Sequence, residues 1–245
     1  MATADARLAH EKWGTRVVFG DGRRWFWSEV FEGNPIIAKK SELGQDEKFA
    51  WVSNYPQNRP YIAEIIPGRF IYRQDYRVTP GEIFLSDDEN RPSGNYIVVE
   101  PNVKPDMTGP NKKWPWDRWV SLVKRLDADV VQLGTSQRLL KRARHINTPT
   151  FRSALGWLAG AKLLITTDGA LHHAAAAMGI PAVVLWGGAA SPVNLGYAGH
   201  INIWHGAEPC GTYNAECPHC KAAMASITVD EVLKAIHGSP VATCH

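Results

Sequence analysis

Between Lys162 and Gly188 the chain reads K-L-L-I-T-T-D-G-A-L-H-H-A-A-A-A-M-G-I-P-A-V-V-L-W-G-G. Leu163-Leu164-Ile165 is a short apolar run, Thr167-Asp168-Gly169 has turn chemistry, and Leu171 to Met178 is an Ala-rich helix. Gly179-Ile180-Pro181 stops that helix, and Ala182 to Trp186 is the next strand. A strand–turn–helix of this kind directs free backbone N–H groups and the positive helix end at one point, an arrangement suited to phosphate.

The preceding residues carry the same rhythm. Tyr96 to Val99 reads as a strand, Trp116 to Leu126 as a helix, Val130 to Gly134 as a strand, and Gln137 to Arg144 and Phe151 to Ala159 as helices. Thr228 with Glu231 forms a capping box that opens a last helix over 228–237. The alternation predicts a parallel sheet with helices on both faces.

The first half is less regular. Residues 1–13 read as an amphipathic helix ended by Gly14, followed by the strand Arg16 to Gly20 and a short strand at Ile36-Ile37. From 40 to 84, Phe49, Trp51, Tyr55, Tyr61, Phe70, Tyr72 and Tyr76 lie among prolines, glycines and polar residues, which predicts short strands and loops. Those rings would either line a sugar site or serve only as core of a small domain. Nothing catalytic stands out there. Leu85 to Asn95 has the polar, acidic composition of a linker, which divides the chain into one domain at 1–94 and a second at 95–245.

The 27 basic and 24 acidic residues leave a net charge of +3, so neither charge balance nor any basic run predicts nucleic-acid binding. No apolar run reaches the roughly 18 residues of a membrane span, and the charged amino terminus is unlike a signal peptide. The expected location is cytoplasmic. All four cysteines fall after residue 209, a local cluster rather than a disulfide framework.

Three constellations carry chemistry. Lys112, within P-N-K-K-W-P-W-D, sits in a loop after the first strand of the second half, where a mobile cation suits a diphosphate; a solvated Lys-Lys pair is the plain alternative. Thr167, Asp168, Gly169 and Ala170 form the turn, with His172 and His173 behind it. Adjacent helical residues point about 100° apart, so at most one of the two histidines faces the turn's ligand. Asp168 is also suited to capping the helix. Finally, Cys210, Cys217 and Cys220, with His219 among them, could hold zinc or iron if Cys244 or His205 supplied a fourth ligand; unpaired thiols are the alternative.

The motifs K-K-W-P-W-D-R-W, T-T-D-G-A-L-H-H-A-A-A-A-M-G-I-P and P-C…E-C-P-H-C…I-T-V-D-E-V resemble, in that order, those of the heptosyltransferase family of glycosyltransferases. The resemblance covers roughly residues 96–236 and implies an α/β GT-B-like fold of two Rossmann-like domains facing a cleft. The second domain would hold a nucleotide-diphospho-sugar, with an ADP-sugar favoured and a heptose as one sugar it would carry. Lys112 and Asp168 match the family's phosphate-site residues and His173 its histidine. Thr167, Gly169 and Ala170 complete the expected donor site. The resemblance implies transfer to a saccharide or protein hydroxyl with no metal required, leaving a structural metal at the Cys loop as a separate matter.

Two departures accompany it. Gly169 and Ala170 stand where the family has Ser/Thr and Gly, which removes a hydroxyl. The chain begins at the family's first helix, so the N-terminal domain lacks its usual first strand and the Gly-Asp loop bearing the expected base. Asp5, His10 and Asp21 are the substitutes the sequence offers. A non-catalytic nucleotide-sugar or glycan-binding protein is therefore the alternative expectation, and a metal-stabilised interaction protein a third.

Overall fold

The structure is a computed structural model, in which residues 1–53, 59–87, 89, 94–135 and 138–238 are described. Helix α1 (Ala2–Trp13) ends where Gly14 takes a φ of 63°, a left-handed turn that glycine adopts without a Cβ clash. Strand β1 (Arg16–Gly20) follows, with β2 (Trp25–Phe26) antiparallel and β3 (Phe49–Val52) parallel to it in a three-stranded sheet. Ile36-Ile37, expected as a strand, contributes only a single bridge to Val17. Asn34 holds this segment as a turn, its Oδ1 accepting from Ile36 N–H at 3.1 Å.

Strands β4 (Ile62–Ile66) and β5 (Arg69–Tyr72) form a hairpin closed at Gly68, φ 76°. Tyr61, Phe70 and Tyr72 pack from this hairpin into the core of the larger sheet, and Phe70 N–H donates to Gly211 O at 2.9 Å. Tyr55, counted among the aromatics of this region, lies outside the described residues, as do five residues of the proposed linker at 88 and 90–93.

The second half contributes β6 (Tyr96–Glu100), α2 (Trp116–Arg125), β7 (Asp129–Gly134), β8 (Arg144–Asn147), α3 (Phe151–Ala159), β9 (Leu163–Thr167), α4 (Ala170–Ala177), β10 (Ala182–Leu185), α5 (Pro192–Leu195), β11 (His200–Ile203), α6 (Pro218–Ser226) and α7 (Val229–His237). The six strands pair in parallel in the order β11-β10-β9-β6-β7-β8. In chain order this is the doubly wound 3-2-1-4-5-6 arrangement, and its switch point lies between β6 and β9. Side chains alternate across the sheet: Ile97, Val99, Leu163, Ile165 and Val183 enter one core, and Val98, Leu164 and Val184 the other. Each such buried aliphatic contributes up to roughly 1.5–3 kcal/mol, so the switch point is backed by packed core on both faces.

The helix expected over 137–144 is not what the chain forms from 138 onward; residues 136 and 137 lie outside the described set. Gln132, 1% exposed, accepts from Leu140 N–H and donates to Arg138 O, both at 2.8 Å, and so takes the backbone groups a helix would use. Arg144 to Asn147 then adds to the sheet as β8.

Arg152, at the start of α3, joins the two halves. Its guanidinium donates to both Glu89 oxygens at 2.6 and 2.5 Å and to the carbonyls of Glu29 (2.9 Å) and Phe84 (2.8 Å). This forked, partly buried geometry is the strong form of an arginine–carboxylate pair. Among the described residues no helix is long and apolar enough to cross a membrane.

Candidate functional site

A cleft of about 910 Å³ opens at the carboxyl ends of β6 and β9, on the switch point. From the large sheet it is lined by Glu100, Thr166, Thr167 and Asp168, from α4 by Gly169, Ala170 and His173, and from the loop after β6 by Lys112. The first half supplies Arg59, Tyr61, Phe70 and Tyr72. All of Lys112, Thr167, Asp168, Gly169, Ala170 and His173 thus face one space.

Lys112 Nζ is ion-paired with Asp168 Oδ2, with the carboxylate side chain only 6% exposed. Burial pushes Asp168 up, but Lys112 foremost, with His172 and Arg59, brings it below the ordinary carboxylate value. Asp168 is therefore ionised and holds the lysine at the amino end of α4. The first-turn amides of that helix have no partners within it, and Ala170 and Leu171, which carry two of them, line the cleft.

The two histidines divide. His172 is fully buried: Gly169 N–H lies 3.1 Å from its Nδ1, and its Nε2 lies 3.2 Å from Leu195 O. It serves as an internal brace for the turn. His173 lines the cleft with its Nδ1 2.9 Å from the Tyr197 hydroxyl. Burial holds both imidazoles below their ordinary value, His173 well below, so both are neutral at neutral pH.

Among the cleft residues that the sequence did not point to are Glu100 and Arg59. Glu100 ends β6 and is paired in register with Thr166, and its Oε1 accepts from Asn102 N–H at 2.8 Å. Burial raises its carboxyl to about 7 against the opposing bonds from Asn102. The available signal was the run Y-I-V-V-E, a charged residue closing an otherwise buried strand. Arg59 donates to the Tyr61 hydroxyl at 3.0 Å and stands in a segment whose composition gave no such signal. Tyr61, Phe70 and Tyr72 are at once core and cleft wall, whereas Phe49 and Trp51 cluster with Trp25 elsewhere.

The three base candidates lie elsewhere. Asp21 accepts from Arg23 N–H (2.9 Å) and Arg24 N–H (2.7 Å) in an exposed turn, and His10 Nδ1 lies 2.7 Å from Thr15 O. Asp5 is in the first turn of α1. None of the three lines the cleft.

The sulfurs of Cys210, Cys217 and Cys220 converge within 4.8 Å, with Cys210 Sγ 3.1 Å from Cys220 Sγ and 3.8 Å from Cys217 Sγ. Three soft donors at this spacing suit zinc or iron. His205 does not join them: its Nδ1 lies 2.8 Å from Ser226 Oγ and its Nε2 2.8 Å from Glu231 Oε1. His219 Nε2 lies 2.9 Å from Glu208 O, and Cys244 is outside the described residues.

No protein-family model matches this chain, and no curated protein matches it in sequence. Solved structures do. The bacterial iron-containing dodecameric glycosyltransferase TibC of enterotoxigenic E. coli superposes with a TM-score of 0.60 at 14% identity, over 85% of this chain and 66% of that one. E. coli ADP-heptose LPS heptosyltransferase II superposes at 0.50 with 20% identity, over 64% of this chain and 52% of that one. TibC in complex with ADP-D-β-D-heptose also gives 0.50, at 16% identity, over 65% of this chain and 48% of that one. The chain thus spans about half to two-thirds of the length of these structures. It shares with them the α/β, GT-B-like fold of the heptosyltransferases.

Proposed function

We propose that this chain carries the donor site of a glycosyltransferase, which moves a sugar from a nucleotide-diphospho-sugar to an acceptor hydroxyl. The observation that carries this is the Lys112–Asp168 pair set at the amino end of α4, on the switch point of a doubly wound sheet. In such sheets ligands bind in the crevice outside the carboxyl ends of the strands, and diphosphates bind at helix amino ends.

In this reading the residues from 95 onward hold the donor, and residues 1–94 contribute the acceptor side. The acceptor oxygen attacks the anomeric carbon while the bond from that carbon to the diphosphate oxygen breaks. The nucleoside diphosphate leaves with the electron pair. Lys112 and the α4 amides stabilise the charge that develops on it, and Asp168 keeps Lys112 in place. No metal is needed for that step. Tyr61 and Tyr72, whose rings stand 6.3 Å apart, border the cleft as apolar wall beside the sugar. An ADP-sugar, with a heptose as the transferred group, is the favoured donor, since the matched TibC structure holds ADP-D-β-D-heptose.

The three thiols fit a structural zinc or iron that would pin the 210–220 loop, a reading supported by the iron content of TibC.

A second reading, donor binding without turnover, is favoured by one observation: Asp5, His10 and Asp21 all stand outside the cleft lining. One experiment addresses both. ADP-sugars and UDP-sugars should raise the melting temperature of the wild type, and Lys112→Ala and Asp168→Ala should abolish the shift. Release of nucleoside diphosphate, with water or a supplied glycan as acceptor, then separates enzyme from binder. No thermal shift with any nucleotide sugar would sink both.

A further inference from the structure

The switch point brings two carboxyl groups to one crevice. Glu100 closes β6, and Asp168 follows β9 two residues beyond Thr166, the register partner of Glu100. Paired strands lie about 4.8 Å apart, so both acids border any ligand seated on the α4 amides. Asp168 has its cation in Lys112. Among the described residues, the partners of the Glu100 carboxyl are the amide and side chain of Asn102.

The other groups facing this space settle the charge balance. Arg59 comes from the first half, Lys104 and Asp106 from the loop after β6, and Lys112 from its end. His173 of α4 and the Met1 amine also face it, and burial biases both toward the neutral form. Among the described lining residues, three cationic ones (Arg59, Lys104 and Lys112) therefore stand against two acidic ones (Asp106 and Asp168) besides Glu100. With Glu100 ionised the cleft carries no excess positive charge for a diphosphate; with Glu100 protonated it does.

We propose that Glu100 takes up one proton when a diphosphate enters the cleft and presents its carboxyl O–H to a phosphate oxygen, so that donor binding and proton binding are one linked event. This rests on the donor reading above. Like charges in one low-dielectric crevice cannot both stay ionised, and a carboxyl already close to half-protonated at neutrality yields first. The proton comes from the solvent and remains on Glu100 until the nucleotide leaves. Affinity is then highest below about pH 7 and falls above it, by up to about tenfold per pH unit.

The test uses the full chain and ADP-glucose, whose phosphates keep their charge across the neutral range. Calorimetry in buffers of different ionisation enthalpy should find close to one proton taken up per donor bound at pH 8, declining toward zero as the pH falls to 6. Glu100→Gln should take up none and should bind with the same affinity from pH 6 to 8. Zero uptake by the wild type at pH 8, or uptake that persists in Glu100→Gln, would overturn the inference while leaving the donor site in place. Failure of ADP, UDP and their sugars to bind at all would overturn the donor reading itself.

Discussion

The Oδ1 of Asn111 accepts from the backbone N–H of Cys217 at 2.7 Å, while its Nδ2 donates to the carbonyls of Thr212 and Ala215, each at 2.9 Å. One side chain, 3% exposed, thereby fastens the cysteine loop to the residue next to Lys112. Asn111→Leu leaves an amide and two carbonyls without these partners, at about 1–3 kcal/mol for each group that stays buried. Urea unfolding should show a loss of roughly 3 kcal/mol, the low end of that range for three groups. ADP-glucose affinity should fall as well, because the segment that carries Lys112 loses its tie to the cysteine loop. An unchanged donor affinity in a folded Asn111→Leu protein would separate the loop from the site.

Lys112 and Asp168 should show the asymmetry of a buried pair. Lys112→Ala strands an ionised carboxylate and should cost about 3–5 kcal/mol, whereas the double change Lys112→Met with Asp168→Asn should cost far less. The pair also sets an acid limb. Asp168 is depressed below 3.8 in the folded chain, so its contribution is fully present above that pH and is lost as pH falls through the folded value. In Lys112→Ala that limb should move upward. A limb that stays in place, read from urea midpoints against pH, would mean that Lys112 does not hold the carboxylate.

The second half was legible because its signals are local. The turn at Thr167-Asp168-Gly169, the Ala-rich helix and its Gly179 stop, and the Thr228–Glu231 capping box are all set by neighbours in sequence, and each appears in the fold. The cleft's other contributors depend on long-range placement. Glu100 matters because β6 lies beside β9, whose paired residues come 66 positions later, and Arg59 because a hairpin of the first half packs onto the second sheet. The false helix over 137–144 has the same origin: the buried amide of Gln132 outcompetes propensity, and its burial is not written in the local pattern.

A cluster of histidines makes a second pH prediction, of opposite chemical type. His172, His173 and His200 are all held below 6.5 by burial, His200 at about 4. The unfolded chain takes up protons that the folded one refuses. Stability from these groups is therefore complete above pH 6.5 and drains as pH falls toward 4. At the limit of three protons the slope approaches about 4 kcal/mol per pH unit. His200→Leu should flatten the decline of urea midpoints over that window, and a slope equal to the wild type's would refute the assignment.

The cysteine loop can be tested without reference to activity. Amides of Cys220 and His219 directed at its sulfur, together with hydrogen bonds from the neighbouring thiols, lower Cys217 to about 7, so near neutral pH about half of it is thiolate. Cys220, fully buried, is pushed well above the ordinary thiol value and stays protonated. In metal-free protein at pH 7, iodoacetamide followed by peptide mass spectrometry should find Cys217 modified first and Cys220 last. Adding zinc or ferrous iron should protect all three sulfurs together and raise the melting temperature, since a metal bound only by the folded loop stabilises by mass action. Chelation should reverse both effects. Protection of Cys217 alone, with no change in melting temperature, would show that the three sulfurs do not share one ion.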